Sequence, residues 1–571
     1  MRKASLLLPI LLLFLCFCSQ PQQELNEVKV RFPLEPETIS PVNYADAESL
    51  QIINLLFQSL LVVDLEEDKL KPALVTAMPE MVRQDSLTLF TYEIRDEAAW
   101  SDGSPVTADD IAFTLKVLKA PLVNNERVKP QVEFIRDIRL DKTNPRKFTF
   151  VCDGYAPEME LLTGDFFILP SYLFDPQGLL KSIQVAELSD DLSELENNEN
   201  LKAFAQEFNA INFKSGKAFL QGSGGYLLDA YLPNQHIVLK RKQNWWGNNL
   251  DQAHLTAHPD VISFHVIPDN TTALLALKNK QLDVLDNISA AEFDHLKSDK
   301  NFKNDFTLHT PDAYECTYAG INSRLPKFSD KRTRQAIAHL LDVSGMIKAS
   351  QQNYATPTAS IIPPSINEYY NTNLKPRSYN LSEAKALLNA AGWKQEQDGW
   401  YKTINGKRTK LTIDVIYRAG NSNFENAALI FQQTASKAGI PVTVQAMEAN
   451  LLSQKSKAHE FDMFFRSLSG NPFVFNFQGL LSTSAGELGG PNYTGFGNEQ
   501  SDKLLDAINT ADTPEKKAQR LKQLQTMLHD DAAFIPLYYQ KERIAINKRF
   551  DNAKISGLSP NYDVSAFTLK N

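Results

Sequence analysis

Residues 411–448 read as strand, helix and strand in immediate succession: LTIDVIY, then ENAALIFQQTASKAG, then IPVTVQAME. A helix between two strands carries the chain over one face of a sheet, so the strands pair in parallel, and such crossovers are right-handed. This stretch demands an α/β architecture with helices laid on a sheet. At 571 residues the chain is also longer than one hydrophobic core usually supports, so two or more domains are expected.

Other segments read by the same rules. SEAKALLNAAGW (382–393) puts Ala384, Leu387, Leu388 and Ala391 on one helical stripe, with Gly392 as the stop. TPEKKAQRLKQLQTMLHD (513–530) starts on Thr513 as cap and Pro514 as first helical residue, and Ala518, Leu521, Leu524 and Leu528 form its apolar face. LTLFTYEI (87–94) alternates as a half-buried strand does. The turn on Asp102, Gly103 and Pro105 follows, and a helix opens at Thr107, whose hydroxyl is placed to accept the N–H of residue 110. Asp109 and Asp110 then lie in a first turn, where the helix dipole favours negative charge, so this acid-rich stretch reads as scaffold rather than chemistry. Residues 178–215 are acidic, lack a continuous apolar stripe and read as a surface insertion.

Composition excludes some functions. A formal net charge of −9 and the lack of a Lys/Arg-rich run argue against a nucleic-acid partner. Cys152 and Cys316 sit in strand-like text and read as buried thiols. His254 and His258 have i,i+4 spacing but are followed at once by Pro259, and HEFDM (459–463) lacks the second His of a zinc helix, so no metal site is expected. Gly-x-Ser-x-Gly is absent, and no catalytic set can be assembled. The first 23 residues have a basic start, an apolar run and a polar end, the anatomy of a secretory signal. Their LCFCSQ resembles a loosened lipobox, with Cys18 as the acylated residue and Cys16 as the other candidate.

IRDEAAWSDGSPVTADDIAFTL (94–115), GSGGYLLDAYLPNQHIVLKRKQNWWG (222–247), VIPDNTTALLALKNKQLDVL (266–285), INSRLPKFSDKRTRQAIAHLLD (321–342) and AFIPLYYQ (533–540) occur in this order. Together they resemble the family 5 extracellular solute-binding proteins of ABC importers, the oligopeptide, dipeptide and nickel receptors. Gly225 stands where the family usually has Pro. The resemblance implies an α/β two-lobed clamshell of the type II, large peptide-binding class, with an extra subdomain in lobe one. Its expected division is 1–17 signal peptide, 18–266 lobe one with the subdomain at about 60–215, 267–535 lobe two, and 536–571 the return to lobe one. It implies a binding protein rather than an enzyme: a periplasmic, lipid-anchored monomer without cofactor or metal. The implied partners are a peptide or other small solute and a membrane permease. A ligand-sensing or chaperone receptor on the same fold is the alternative.

In the peptide-binding branch, a segment after a Phe-Asp strand supplies a Trp and an Asp, and the Asp neutralises the ligand's α-amino group. Here that segment reads FDMFFRSLSGNPFVFNFQGLL (461–481); counted without gaps, Leu468 stands at the Trp position and Asn471 at the Asp position, whereas a gap that aligns the family's later Asp-Pro to Asn471-Pro472 puts the anchor near Leu468, and either way no acid lies between Asp462 and Glu487. Three readings stand: a peptide held by acids from elsewhere, a peptide whose amino group is not read, or an uncharged or anionic ligand paired with Arg466. Arg466 reads equally as a surface or interlobe ion pair. Tyr44, Asn471 and Phe473 complete the candidate cleft residues.

Overall fold

The computed structural model describes residues 26–570 except 45, 190, 191, 193, 194 and 512. The signal-like segment, with Cys16 and Cys18, lies outside the described residues.

Ile413–Arg418 and Val442–Met447 pair in parallel, Ile413 opposite Val442, and the helix Ser422–Lys437 joins them. They form one edge of a six-stranded sheet in the order 355–357, 534–541, 312–321, 463–469, 413–418, 442–447. Helices cover both faces, which is why the strand Met463–Ser469 opens with three consecutive buried apolar residues. Met463 and Phe465 enter one core with Trp393 and Phe431, while Phe464 enters the other with Tyr318 and Phe534. The helices anticipated around it form at Leu381–Ala390 and Pro514–Asp531, with Asn380 and Thr513 as caps.

A second sheet of seven strands runs 306–309, 544–547, 284–285, 27–32, 261–266, 236–241, 226–232. It corrects the expected division at both ends. Val284–Leu285 pairs with the first strand and Phe306–His309 with Ile544–Asn547, so the chain stays in lobe one until residue 309 instead of leaving near 266. Phe534–Lys541 lies wholly in the other sheet, so the return falls at 542–543 instead of 536. Two residues of strand carry too little periodicity to be read from sequence, and pairing with distant strands placed them. The lobes are thus joined by residues 310–311 and 542–543, and these links touch: the Glu542 N–H donates to the Pro311 carbonyl at 2.9 Å.

A four-stranded antiparallel sheet, 80–84, 87–93, 147–153, 135–140, carries the helix Ala108–Lys119. Its Phe90, Tyr92, Phe148 and Phe150 share one continuous core with Val28, Val30 and Phe264 of the seven-stranded sheet. Asp110 is 4 % exposed and knits this region together. Its carboxylate accepts from the Thr107 N–H, the Trp100 indole, and the Ser171 N–H and hydroxyl. The Thr107 hydroxyl also donates to it, at 3.3 Å.

The polar stretch 178–215 is more than a surface insertion. Glu199–Asn209 is a helix that buries Leu201, Phe204, Ala205 and Phe208, and Phe174 packs 5.6 Å from Phe208. Those four positions are spaced i, i+3, i+4, i+7, a stripe hidden in the sequence by its acidic flank. Cys152 and Cys316 are free and buried, and burial pushes both thiols up to about 12. Among the described residues no helix is long and apolar enough to cross a membrane.

Candidate ligand cavity and interlobe seam

A cavity of about 420 Å³ lies in lobe one. One wall is the helix Ala47–Leu56, started by Asp46, whose carboxylate accepts the Ser49 N–H at 2.6 Å; this helix presents Gln51. Tyr44, just before it, packs edge-on against Phe167 at 5.6 Å. A second wall is built by the glycine-rich turn 222–225. A Cβ on Gly224 would lie 2.4 Å from the Leu55 carbonyl, and one on Gly225 would lie 2.6 Å from Ala257, so only glycine allows this approach. The turn in turn holds the aromatic wall: the Ser223 carbonyl accepts both the Trp245 and the Trp246 indole N–H at 2.9 Å. Tyr226, Trp245 and Tyr562 line the space.

Two carboxylates face the cavity. That of Asp563 accepts from Ser565 and Thr256. That of Asp165 has no hydrogen-bond or ion-pair partner among the described residues. Asp165 follows the helix Met159–Gly164; its side chain is exposed to the cavity, and desolvation by the surrounding protein pushes its carboxyl up to about 7. Tyr44 is raised by burial and then by the charge of Asp165, which puts the two side by side. No Lys or Arg is among the lining residues. His254, the one histidine there, contacts the Pro72 carbonyl at 3.0 Å, and burial lowers its pKa. The cavity is therefore aromatic, with a negative bias.

The short helix 159–164 also reaches the other lobe. At its start, the Glu158 carboxylate accepts the Asn476 amide N–H at 3.0 Å, and Asn509 donates to the Asn476 oxygen at 2.9 Å. A second seam runs through Asp68, which accepts the Tyr314 hydroxyl at 2.7 Å and the Ser556 hydroxyl at 2.6 Å. One six-residue helix thus separates an interlobe contact from the acid that faces the cavity.

Of the residues singled out from sequence, Tyr44 lines this cavity, whereas Arg466, Asn471 and Phe473 lie on the strand end and turn 463–474 of the other lobe. Arg466 stands opposite Tyr318, its guanidinium 4.9 Å from the Tyr493 ring centre and without a carboxylate partner among the described residues. Asn471 builds the turn itself, its side-chain oxygen accepting the Phe473 and Val474 N–H groups at 2.8 Å each. Phe473 is half-buried. Sequence reasoning passed over Trp245, although it stands in the quoted NWWG, and Asp165, whose Thr-Gly-Asp context looks like any loop.

Comparison with known proteins places this geometry. The family described as bacterial extracellular solute-binding proteins, family 5 middle, matches residues 69–487. The oligopeptide-binding protein AppA of Bacillus subtilis is 23% identical over 541 residues, covering 94% of this chain and 90% of AppA. The structure of AppA in complex with a nonapeptide has a TM-score of 0.65 at 21% identity and covers 95% of this chain and 99% of that one. MppA, a periplasmic murein tripeptide-binding protein solved in an unliganded open form, has a TM-score of 0.74 at 17% identity, covering 96% and 98%. With a family match over most of its length and the two-lobed fold of these relatives, the chain belongs to the family 5 bacterial extracellular solute-binding proteins.

Proposed function

We propose that the protein is the substrate-binding component of an ABC-type importer, which captures a peptide or a similarly extended solute between its lobes and hands it unaltered to a membrane permease. The observation that carries this reading is the family match over 69–487 on two lobes joined by a pair of two-residue links. Rigid lobes on short links can rotate to enclose a solute, excluding water while backbone and side-chain groups satisfy its polar atoms. The oligopeptide and murein tripeptide named for the relatives favour a peptide. In this reading the protein is a periplasmic monomer held to the envelope by acylation of Cys18, or of Cys16. Tyr44 contacts the ligand from lobe one, and Asn471 and Phe473 contact it from lobe two. Arg466 pairs with an anionic group such as a peptide carboxylate.

Native mass spectrometry of the protein purified from its own host tests this. The expected result is a co-purifying compound with amide bonds, recovered with its mass unchanged after incubation. A compound without amide bonds overturns the peptide assignment, and conversion to product overturns capture without chemistry.

A further inference from the structure

The second lobe offers no acid between Asp462 and Glu487, yet lobe one presents a cavity-facing carboxylate, Asp165, with no hydrogen-bond or ion-pair partner among the described residues. We propose that the lobe-one cavity receives a primary ammonium group of the ligand, with Asp165 as its counter-charge and Tyr44, Trp245 and Tyr562 as its aromatic walls. The proposal rests on the reading of the protein as a solute-capturing receptor and deepens it.

The carboxylate is paired with nothing among the described residues, so a cation entering the cavity meets it without displacing an existing partner. The lining contains no Lys or Arg that could do so, and its histidine is occupied by the Pro72 carbonyl. Aromatic faces attract a cation through their quadrupole, which selects ammonium over a neutral polar group. Gln51 and Gln58 add neutral oxygens able to accept further ammonium N–H donors. The volume, about 420 Å³, admits an amino-terminal residue or a lysine side chain and is too small for a long peptide. Burial that raises the Asp165 carboxyl is consistent with a site held ready for an incoming positive charge.

The ammonium has two sources, a peptide's α-amino group or a lysine side chain, and the test separates them. Calorimetry at pH 8 would compare pentaalanine, N-acetyl-pentaalanine and N-acetyl-Lys-Ala-Ala-Ala-Ala on the wild-type protein and on Asp165→Asn. In parallel, 2-phenylethylamine would be titrated while following tryptophan fluorescence, which Trp245 reports from the cavity wall. For the wild type, N-acetylation is expected to weaken pentaalanine by about tenfold or more, the range of a charge-assisted contact. Asp165→Asn should weaken the free-amine peptide by a similar factor and abolish the difference between free and acetylated forms. Recovery of affinity by the lysine peptide, lost again in Asp165→Asn, would assign the cavity to a side-chain ammonium instead of an α-amino group. Asp165→Asn removes a charge that has no partner, so its melting temperature at pH 8 should equal or exceed that of the wild type. That control separates a binding effect from misfolding. Saturable peptide binding indifferent to acetylation and to Asp165→Asn overturns the ammonium site while leaving solute capture intact. No saturable signal from any peptide or from the amine overturns the proposal, and with it the peptide reading.

Discussion

Replacing Asp110 by alanine tests whether the acid-rich stretch near residue 100 is scaffold. Its side chain is 4 % exposed and takes five hydrogen bonds: the Trp100 indole at 3.3 Å, the Thr107 N–H at 3.0 Å and hydroxyl at 3.3 Å, and the Ser171 N–H at 3.1 Å and hydroxyl at 2.7 Å. In Asp110→Ala the two hydroxyls can rotate to other acceptors, but the two backbone N–H groups and the indole cannot. Each buried orphan donor costs about 1–3 kcal/mol, and water entering the space left by the carboxylate lowers the sum below strict additivity. The expected loss is about 3–5 kcal/mol of lobe-one stability, the class of effect seen when a buried network is broken. Asp109→Ala is the control: it sits in the same turn but is exposed, so only the helix-dipole contribution of about 0.3–1 kcal/mol is lost. Urea denaturation followed by circular dichroism would measure both, and hydrogen exchange at the Thr107 and Ser171 amides would show the local opening. A cost under about 1 kcal/mol for Asp110→Ala, or equal costs for the two variants, would refute this account.

Three more outcomes follow from the geometry. Asn476→Ala deletes the donor to Glu158, a hydrogen bond to a charged group worth about 1.5–3 kcal/mol, so solution scattering should show a larger radius of gyration; an unchanged profile would mean the seam does not hold the lobes. Burial, the dominant cause, raises Glu542 to about 7 and Asp286 to about 6 despite the opposing charges of Arg543 and Arg31. Because these folded values exceed the unfolded ones of about 4, the folded state holds extra protons between pH 4 and 7, and stability falls as pH rises through that window. The melting temperature of Glu542→Gln should accordingly gain on the wild type from pH 5 to pH 8, and a pH-independent difference would contradict the assignment. Arg466→Ala loses cation–aromatic contacts with Tyr493 and, more distantly, Phe464, about 0.5–1 kcal/mol of stability, yet should weaken an anionic ligand by more than about 1.5 kcal/mol; an unchanged dissociation constant in calorimetry would remove Arg466 from the site.

Much of the fold was legible because it repeats along the chain. The helices at 381–390 and 514–531 and the parallel pair at 413–447 announce themselves by apolar spacing, caps and order. The helix 199–209 was legible too, in Leu201, Phe204, Ala205 and Phe208, but its acidic flank outweighed four apolar positions. Tyr44 was placed by resemblance and lines the cavity, while Asn471, read as a stand-in for a missing acid, is engaged in its own turn.

The sequence by itself determined the α/β class, the helix starts and the family, because hydrophobic period, capping chemistry and ordered motifs are local properties of a chain. Only the tertiary structure decided where the lobes divide, since Val284–Leu285 and Phe306–His309 become strands through partners far along the sequence. It alone decided the roles of the acids. Asp110 and Asp165 are the same side chain on paper; one is met by five donors and the other by none, and that count exists only once distant segments have been brought together.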